Sequence, residues 1–166
     1  MRGLEIAKFA AIYLPALIAN GSATLIARGS PIDMRIVLPD GKRLLGDGKT
    51  WEGFSLALLY AFSITLLEAQ YLQDASIVVL GFLSALGALL GDLAGSFIKR
   101  RVGLKRGEQA PLLDQLDFIL GAYMLTMLAG YRPPLIPSLA LLALVYALHR
   151  LTNYVAYKLG IKNVPW

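Results

Sequence analysis

Residues 75–98, ASIVVLGFLSALGALLGDLAGSFI, run directly into Lys99-Arg100-Arg101, and this stretch decides the kind of fold. An apolar segment of this length, rising about 1.5 Å per residue as a helix, crosses the roughly 30 Å hydrocarbon core of a bilayer. The cationic triplet marks where the segment leaves the membrane. One carboxylate, Asp92, lies inside the run. Charges at membrane depth are costly and persist where they line a polar cavity or a site.

Reading outward, similar apolar runs occur at 4–27, 53–72, 112–131 and 135–159. The chain of 166 residues is 57% hydrophobic, and its 16% charged content falls below the about 25% of an average soluble domain. The mean hydropathy is +0.60. These values predict an all-α, polytopic membrane protein of five transmembrane helices forming one catalytic domain over 1–166. The first run reads as a span and not a cleaved signal, because it is long, holds Asn20-Gly21-Ser22 and has no small-x-small site.

The connections set an orientation. Gln73-Asp74 and Arg132-Pro133-Pro134 are minimal links, whereas 28–52 and 99–111 are long and basic. Those long loops carry Arg28, Arg35, Lys42, Arg43 and Lys49, then Lys99, Arg100, Arg101, Lys105 and Arg106. The opposite side has Arg2, Lys8 and Arg132. The positive-inside rule places both long loops, Lys158 and Lys162 in the cytoplasm and the N-terminus outside. The expected location is the cell membrane, with the active site facing the cytoplasm. The net charge of +5 sits beside the spans, where it sets orientation and meets anionic head groups, so nucleic acid is not an expected partner. The chain has no cysteine, which excludes thiolate chemistry.

On a helix, Asp92, Ser96 and Lys99 recur at i, i+4 and i+7 on one face. Asp114 and Asp117 share a face at the start of the fourth span, with Pro111 placed to open it. Three carboxylates can thus converge across one hairpin. Oxygen ligands of this kind suit Mg²⁺ completed by substrate phosphates, and the Arg100–Arg106 loop offers cations for phosphate oxygens. Metal-holding carboxylates and a basic loop at a membrane surface describe phosphoryl or nucleotidyl transfer to a lipid. The rival class is a small cation transporter or channel using Asp92, Asp114 and Asp117.

Ser96-Phe97-Ile98-Lys99-Arg100, then Lys105, Pro111, Asp114 and Asp117, resembles the signature of the CTP:phosphatidate cytidylyltransferases. With the preceding Gly46-Asp47-Gly48-Lys49-Thr50-Trp51-Glu52-Gly53, the chain is more similar to the archaeal branch of that family, the CDP-archaeol synthases. The resemblance covers roughly Asp40 to Phe118. Pro111-Leu112-Leu113 and Gln115 replace the Gly- and His-rich turn and the basic residue of the bacterial and eukaryotic pattern. The resemblance implies CTP and an unsaturated isoprenoid diether glycerol phosphate as substrates, a CDP-lipid and pyrophosphate as products, and Mg²⁺ as cofactor. It implies metal on Asp92, Asp114 and Asp117, nucleotide contacts from Gly48, Lys49, Thr50, Lys99, Arg100 and Lys105, and Ser96 as a donor nearby.

Gly48-Lys49-Thr50 is not a Walker motif, since Arg43 stands where such a loop needs its first glycine. A glycine-rich turn carrying Lys49 can still cradle phosphate with backbone N–H groups. Gly87, Gly91 and Gly95 form consecutive Gly-x-x-x-Gly steps, which suit close helix packing within the chain or a homodimer seam. His149 carries no assigned chemistry, and Trp51, Tyr131 and Trp166 fit an aromatic belt.

Overall fold

A computed structural model describes residues 2–23, 25, 29–105 and 108–160. Arg28, Arg106, Lys162 and Trp166 lie outside the described residues, as does the end of the first expected span. The described chain forms five helices, α1 (Arg2–Ala23), α2 (Trp51–Leu72), α3 (Ser76–Arg101), α4 (Leu113–Leu128) and α5 (Leu135–Lys158). Among the described residues there is no strand, only two isolated antiparallel pairings, Pro31 with Thr50 and Val37 with Arg43.

Four helices, α1, α2, α3 and α5, are long and apolar enough to cross a membrane. The fourth expected span is shorter than 112–131. At 16 residues, α4 reaches about 24 Å, because Leu112 before it has φ 66 and Gly130 after it has φ 87. Both are left-handed, which ends a right-handed helix. By contrast α3 is 26 residues, about 39 Å against a hydrocarbon layer of roughly 30 Å, and its last turn carries Lys99, Arg100 and Arg101.

The α2–α3 hairpin is closed by its link. Gln73 takes φ 53 and donates its N–H to Ala69 O and Gln70 O, ending α2. Asp74 Oδ1 then accepts from Ser76 N at 2.9 Å and Ser76 Oγ at 2.6 Å, opening α3. Lys8 of α1 donates to Asp74 Oδ2 at 2.7 Å, pinning a third helix to the same corner. The Lys8 ammonium and the Ser76 groups hold the Asp74 carboxyl down at about 2.

Small residues let the helices approach closely, as packing in lipid requires. Ala19, Ala57, Ala61 and Ala85 form the buried seam of α1, α2 and α3. A second cluster joins Phe9, Ile12, Tyr13 and Ala16 of α1 to Ala88, Ile119 and Ala122. Tyr13, fully buried, shares a 2.8 Å hydrogen bond with Thr126 of α4. The Gly87, Gly91, Gly95 stripe is used inside the chain. A Cβ on Gly87 would overlap the Gly121 backbone, one on Gly91 the Asp117 backbone, and one on Gly95 the Asp117 carboxylate. α5 is peripheral, with Val145 its buried residue among those described.

Because Gly121 meets the backbone of Gly87 and Gly91 directly, Gly121→Ala is expected to cost about 1–3 kcal/mol, the usual range for overpacking a core. Leu128→Ala, at a 77% exposed position, is expected to stay within about 0.5 kcal/mol. Thermal unfolding of both variants in detergent checks the difference.

Candidate active site

The site is built where the 29–50 loop folds over the end of α3. Asp33, 2% exposed, organises that loop. Its Oδ1 accepts from Arg35 N at 3.1 Å and Arg43 Nη2 at 2.7 Å. Its Oδ2 accepts from Arg43 Nε at 3.2 Å and from Leu45 N and Gly46 N, both at 3.0 Å. Burial alone would raise the Asp33 pKa. The Arg43 guanidinium and the N–H groups of Gly46, Leu45 and Arg35 outweigh it and hold the carboxyl well below the usual carboxylate range. Those bonds also stabilise the left-handed turn at Met34 and Arg35, φ 45 and 63, a conformation that side chains other than glycine adopt at a cost.

The loop is fastened at both ends. Arg101 donates to Asp40 Oδ2 and Arg43 O, while Lys42 Nζ donates back to Arg101 O at 2.7 Å. At the other end Ser30 N donates to Glu52 Oε2 at 2.8 Å, and Thr50 caps α2 by accepting from Gly53 N at 3.2 Å. Between these anchors, Gly46 takes φ 108 and the turn 46–49 lies against α3.

Lys49 sits on the boundary of two cavities. The outer one, about 180 Å³, is lined by Gly46, Asp47, Gly48 and Lys49 of the loop and by Ser96, Lys99 and Arg100 of α3. The inner one, about 220 Å³, shares Gly48 and Lys49 and adds Thr50, Asp92 and Asn20. Its remaining wall is apolar, with Ile32, Phe54, Leu89 and Leu93 prominent. Asp92 lies about 10 Å along the helix from Lys99, so the inner cavity is the deeper of the two.

Two ion pairs hold the expected residues. Lys49 Nζ meets Asp92 Oδ2 at 2.5 Å, and Lys99 Nζ meets Asp114 Oδ1 at 2.7 Å. Ala110 N donates to Asp114 Oδ2 at 2.9 Å. Asp117 lies against Gly95 and accepts from Phe118 N at 2.7 Å. It interacts electrostatically with Asp92, Asp114 and Lys49. Two of the three carboxylates, Asp92 and Asp114, are thus met at contact distance by an ammonium group, and Asp117 is not. Among the described residues no three acidic or histidine side chains close around one point. Arg100 faces the outer cavity, and its buried Nε has no hydrogen-bond partner among the described residues.

The structure therefore brings together Gly48, Lys49, Thr50, Asp92, Ser96, Lys99, Arg100, Asp114 and Asp117. Lys105 is exposed and lines neither cavity, its own N–H donating to Glu108. Asp47 was read only as part of the glycine-rich motif, and Asp33 and the Asp40–Arg101 clasp were not singled out by the sequence. An acid in a polar loop reads as a surface turn, and nothing in the local pattern reveals five donors arranged around Asp33.

A folded-state pKa held low adds stability that is fully present above the unfolded value, near 3.9, and is lost as pH falls through the folded one. Both Asp33 and Asp74 behave this way. The melting temperature in detergent is expected to hold from pH 7 to about 5 and to fall below about 4. Asp33→Asn, which leaves Arg43 without its buried partner, is expected to cost about 3 kcal/mol at neutral pH. It should also shrink the acid-induced drop.

The sequence and the fold are shared with known proteins. A family model described as CarS-like, CDP-archaeol synthase, matches residues 4–166. A CDP-archaeol synthase of Sulfolobus acidocaldarius is 50% identical over 154 residues, covering 93% of this chain and 94% of that protein. The one from Sulfurisphaera tokodaii is 48% identical, over 93% of this chain and 92% of its own. A solved structure described as an intramembrane enzyme for archaeal membrane lipids biosynthesis superposes with a TM-score of 0.81 at 45% identity, covering 87% of this chain and 91% of that one. With its helices apolar and long enough to span a bilayer, the chain is an integral membrane protein and belongs to the CarS-like family of CDP-archaeol synthases.

Proposed function

We propose that the chain acts as one catalytic unit that transfers a cytidylyl group from CTP to the phosphate of an unsaturated isoprenoid diether lipid. The CDP-lipid forms and pyrophosphate leaves. The observation that carries this reading is the position of Lys49, shared by a cationic outer cavity and a largely apolar inner one. An anionic nucleotide fits the first and the phosphate end of an amphiphile fits the second. Family membership supports the same chemistry and disfavours the ion pathway. The unsaturated diether rests on the resemblance of the motif, and comparing saturated with unsaturated lipid in the assay tests it.

In this arrangement Lys99, Arg100 and the 46–49 backbone hold the triphosphate, with the unpartnered Arg100 Nε supplying one donor. Ser96 donates a further hydrogen bond. A lipid phosphate oxygen then forms a bond to the α-phosphorus as the α-phosphorus to bridging-oxygen bond breaks, and the electron pair leaves on pyrophosphate. No proton need be removed, because the nucleophile is already an anion. The residues contribute alignment and charge neutralisation.

The donor set fits a hard divalent cation, because three carboxylates face two ammonium groups and one or two carboxylates suffice for Mg²⁺ when phosphates complete the shell. Asp92, Asp114 and Asp117 are the residues that would hold it. When bound it neutralises phosphate charge and orients the leaving group. Lys49 and Lys99 then pass from carboxylate to phosphate. The concentration of basic residues in the 28–52 and 99–111 loops supports a cytoplasmic active site.

The expected outcome with purified protein, Mg²⁺, labelled CTP and a digeranylgeranyl glycerol phosphate is labelled lipid and pyrophosphate in equal amounts. Chelation should abolish both and added Mg²⁺ restore them. Lys49→Ala and Asp114→Asn should each lose about 100-fold or more in kcat/KM, comparable to removing one transition-state charge contact. Folded protein that makes no product with this lipid or with phosphatidic acid overturns the reading.

A further inference from the structure

Asp33-Met34-Arg35-Ile36 closes a tight turn, Ile36 N donating to Asp33 O at 2.8 Å. Its corner residues, Met34 and Arg35, both have positive φ, 45 and 63. Turns with that backbone favour Gly, Asn or Asp at both corners, because larger side chains crowd the backbone in the left-handed region. Here the corners carry a long apolar side chain and a guanidinium, held in place by the five donors around Asp33. Met34 is 76% exposed, and Ile36 and Val37 after it are about half exposed. Arg35 spends its backbone N–H on Asp33, and among the described residues its guanidinium has no hydrogen-bond or ion-pair partner. Neither the strained corners nor the exposed apolar side chains serve the fold. Entry of those side chains into an apolar medium offsets both losses.

The attachment of the turn says which medium is within reach. Met34 N donates to Pro31 O at 3.0 Å, and Pro31 pairs with Thr50, the N-cap of α2. One turn of about 7 Å and one pairing of about 5 Å put Met34 within roughly 12 Å of that cap. α2 has 22 residues, about 33 Å, which matches the roughly 30 Å hydrocarbon core. Thr50 therefore stands at the edge of the core, and half-exposed Trp51 beside it has the interfacial place that tryptophan favours. The head-group layer beyond is about 5–8 Å deep on each side. The turn is thus tethered at head-group level, with a cation for phosphate oxygens next to side chains that fit among acyl chains. A protein partner fits less well, since a specific interface takes about 20–30 residues a side and this patch offers Met34, Arg35, Ile36 and Val37.

We propose that the 33–37 turn is a membrane-surface anchor. Met34, Ile36 and Val37 enter the interfacial layer of the bilayer that the helices span, and Arg35 pairs with an anionic head group of that bilayer. The anchor fixes the height of the 29–50 loop, and with it Lys49, over the membrane.

The chain has no cysteine, so one introduced thiol can be labelled alone. Met34→Cys, and Glu108→Cys at an exposed position between α3 and α4, are each given an environment-sensitive fluorophore and reconstituted into mixed phosphatidylcholine and phosphatidylglycerol vesicles. A nitroxide carried near the lipid head group is expected to quench the label at 34 about fivefold more than the label at 108, and aqueous iodide to do the reverse. Omitting phosphatidylglycerol, or adding Arg35→Glu, is expected to lower nitroxide quenching at 34 about twofold. Equal iodide quenching at the two positions overturns the proposal and leaves the patch to a soluble protein. Quenching at 34 that responds neither to lipid charge nor to Arg35→Glu overturns the head-group pairing. Met34→Asn combined with Arg35→Gly, residues that such a turn prefers, is expected to melt in detergent no lower than the unsubstituted protein. A lower melting temperature assigns the two side chains to the fold and contradicts the anchor. None of these readouts depends on turnover, so they stand apart from the cytidylyltransferase reading.

Discussion

The direct approach of the α3 and α4 backbones across Gly87, Gly91 and Gly121 is the constraint on which the rest of the structure depends. Any side chain at these positions would force the helices apart. Their contact brings Asp117 onto Gly95, one turn from Asp92 and beside Ser96. It also places Asp114 within reach of Lys99. A membrane interior supplies no hydrophobic drive for helix association, so this fit, with the Tyr13–Thr126 hydrogen bond and the alanine seam of α1, α2 and α3, must hold the acids together. The acids would otherwise repel.

The second requirement is a loop rigid enough to present Lys49 to α3. Asp33 provides it by replacing the water a loop backbone would normally bind with one buried carboxylate. The Arg101 clasp fixes the same loop to the end of α3. The consequence is a pair of lysine–aspartate contacts that neutralise the acids before substrates arrive. Each lysine lines a cavity, and under the proposed function it would exchange its carboxylate for a phosphate held there.

Much of this was legible in the sequence. Span length follows from apolar run length, and the shared face of Asp92, Ser96 and Lys99 follows from helical period. Four of the five expected spans are helices long and apolar enough to cross a membrane, and Asp92, Ser96 and Lys99 line the two cavities that share Lys49. The helix ends were less legible, because α4 is cut short by backbone conformation at Leu112 and Gly130 and not by any change in hydropathy. The pairing of Lys49 with Asp92, 43 residues apart, depends on how the loop folds back and leaves no local signal. For the same reason Asp33 looked like a turn residue, and Lys105 like a phosphate ligand that the structure puts in neither cavity. The glycine stripe was compatible with packing inside the chain or between chains until Gly121 showed which surface fills it.

The central claim is that Lys49 exchanges Asp92 for a substrate phosphate. Its most direct test is an experimental structure of the protein with Mg²⁺ and a non-hydrolysable CTP analogue. The expected result is Lys49 Nζ in contact with a phosphate oxygen, separated from Asp92 Oδ2, and the triphosphate lying between the 46–49 turn and Lys99. A nucleotide bound elsewhere, with the Lys49–Asp92 contact intact, would contradict it.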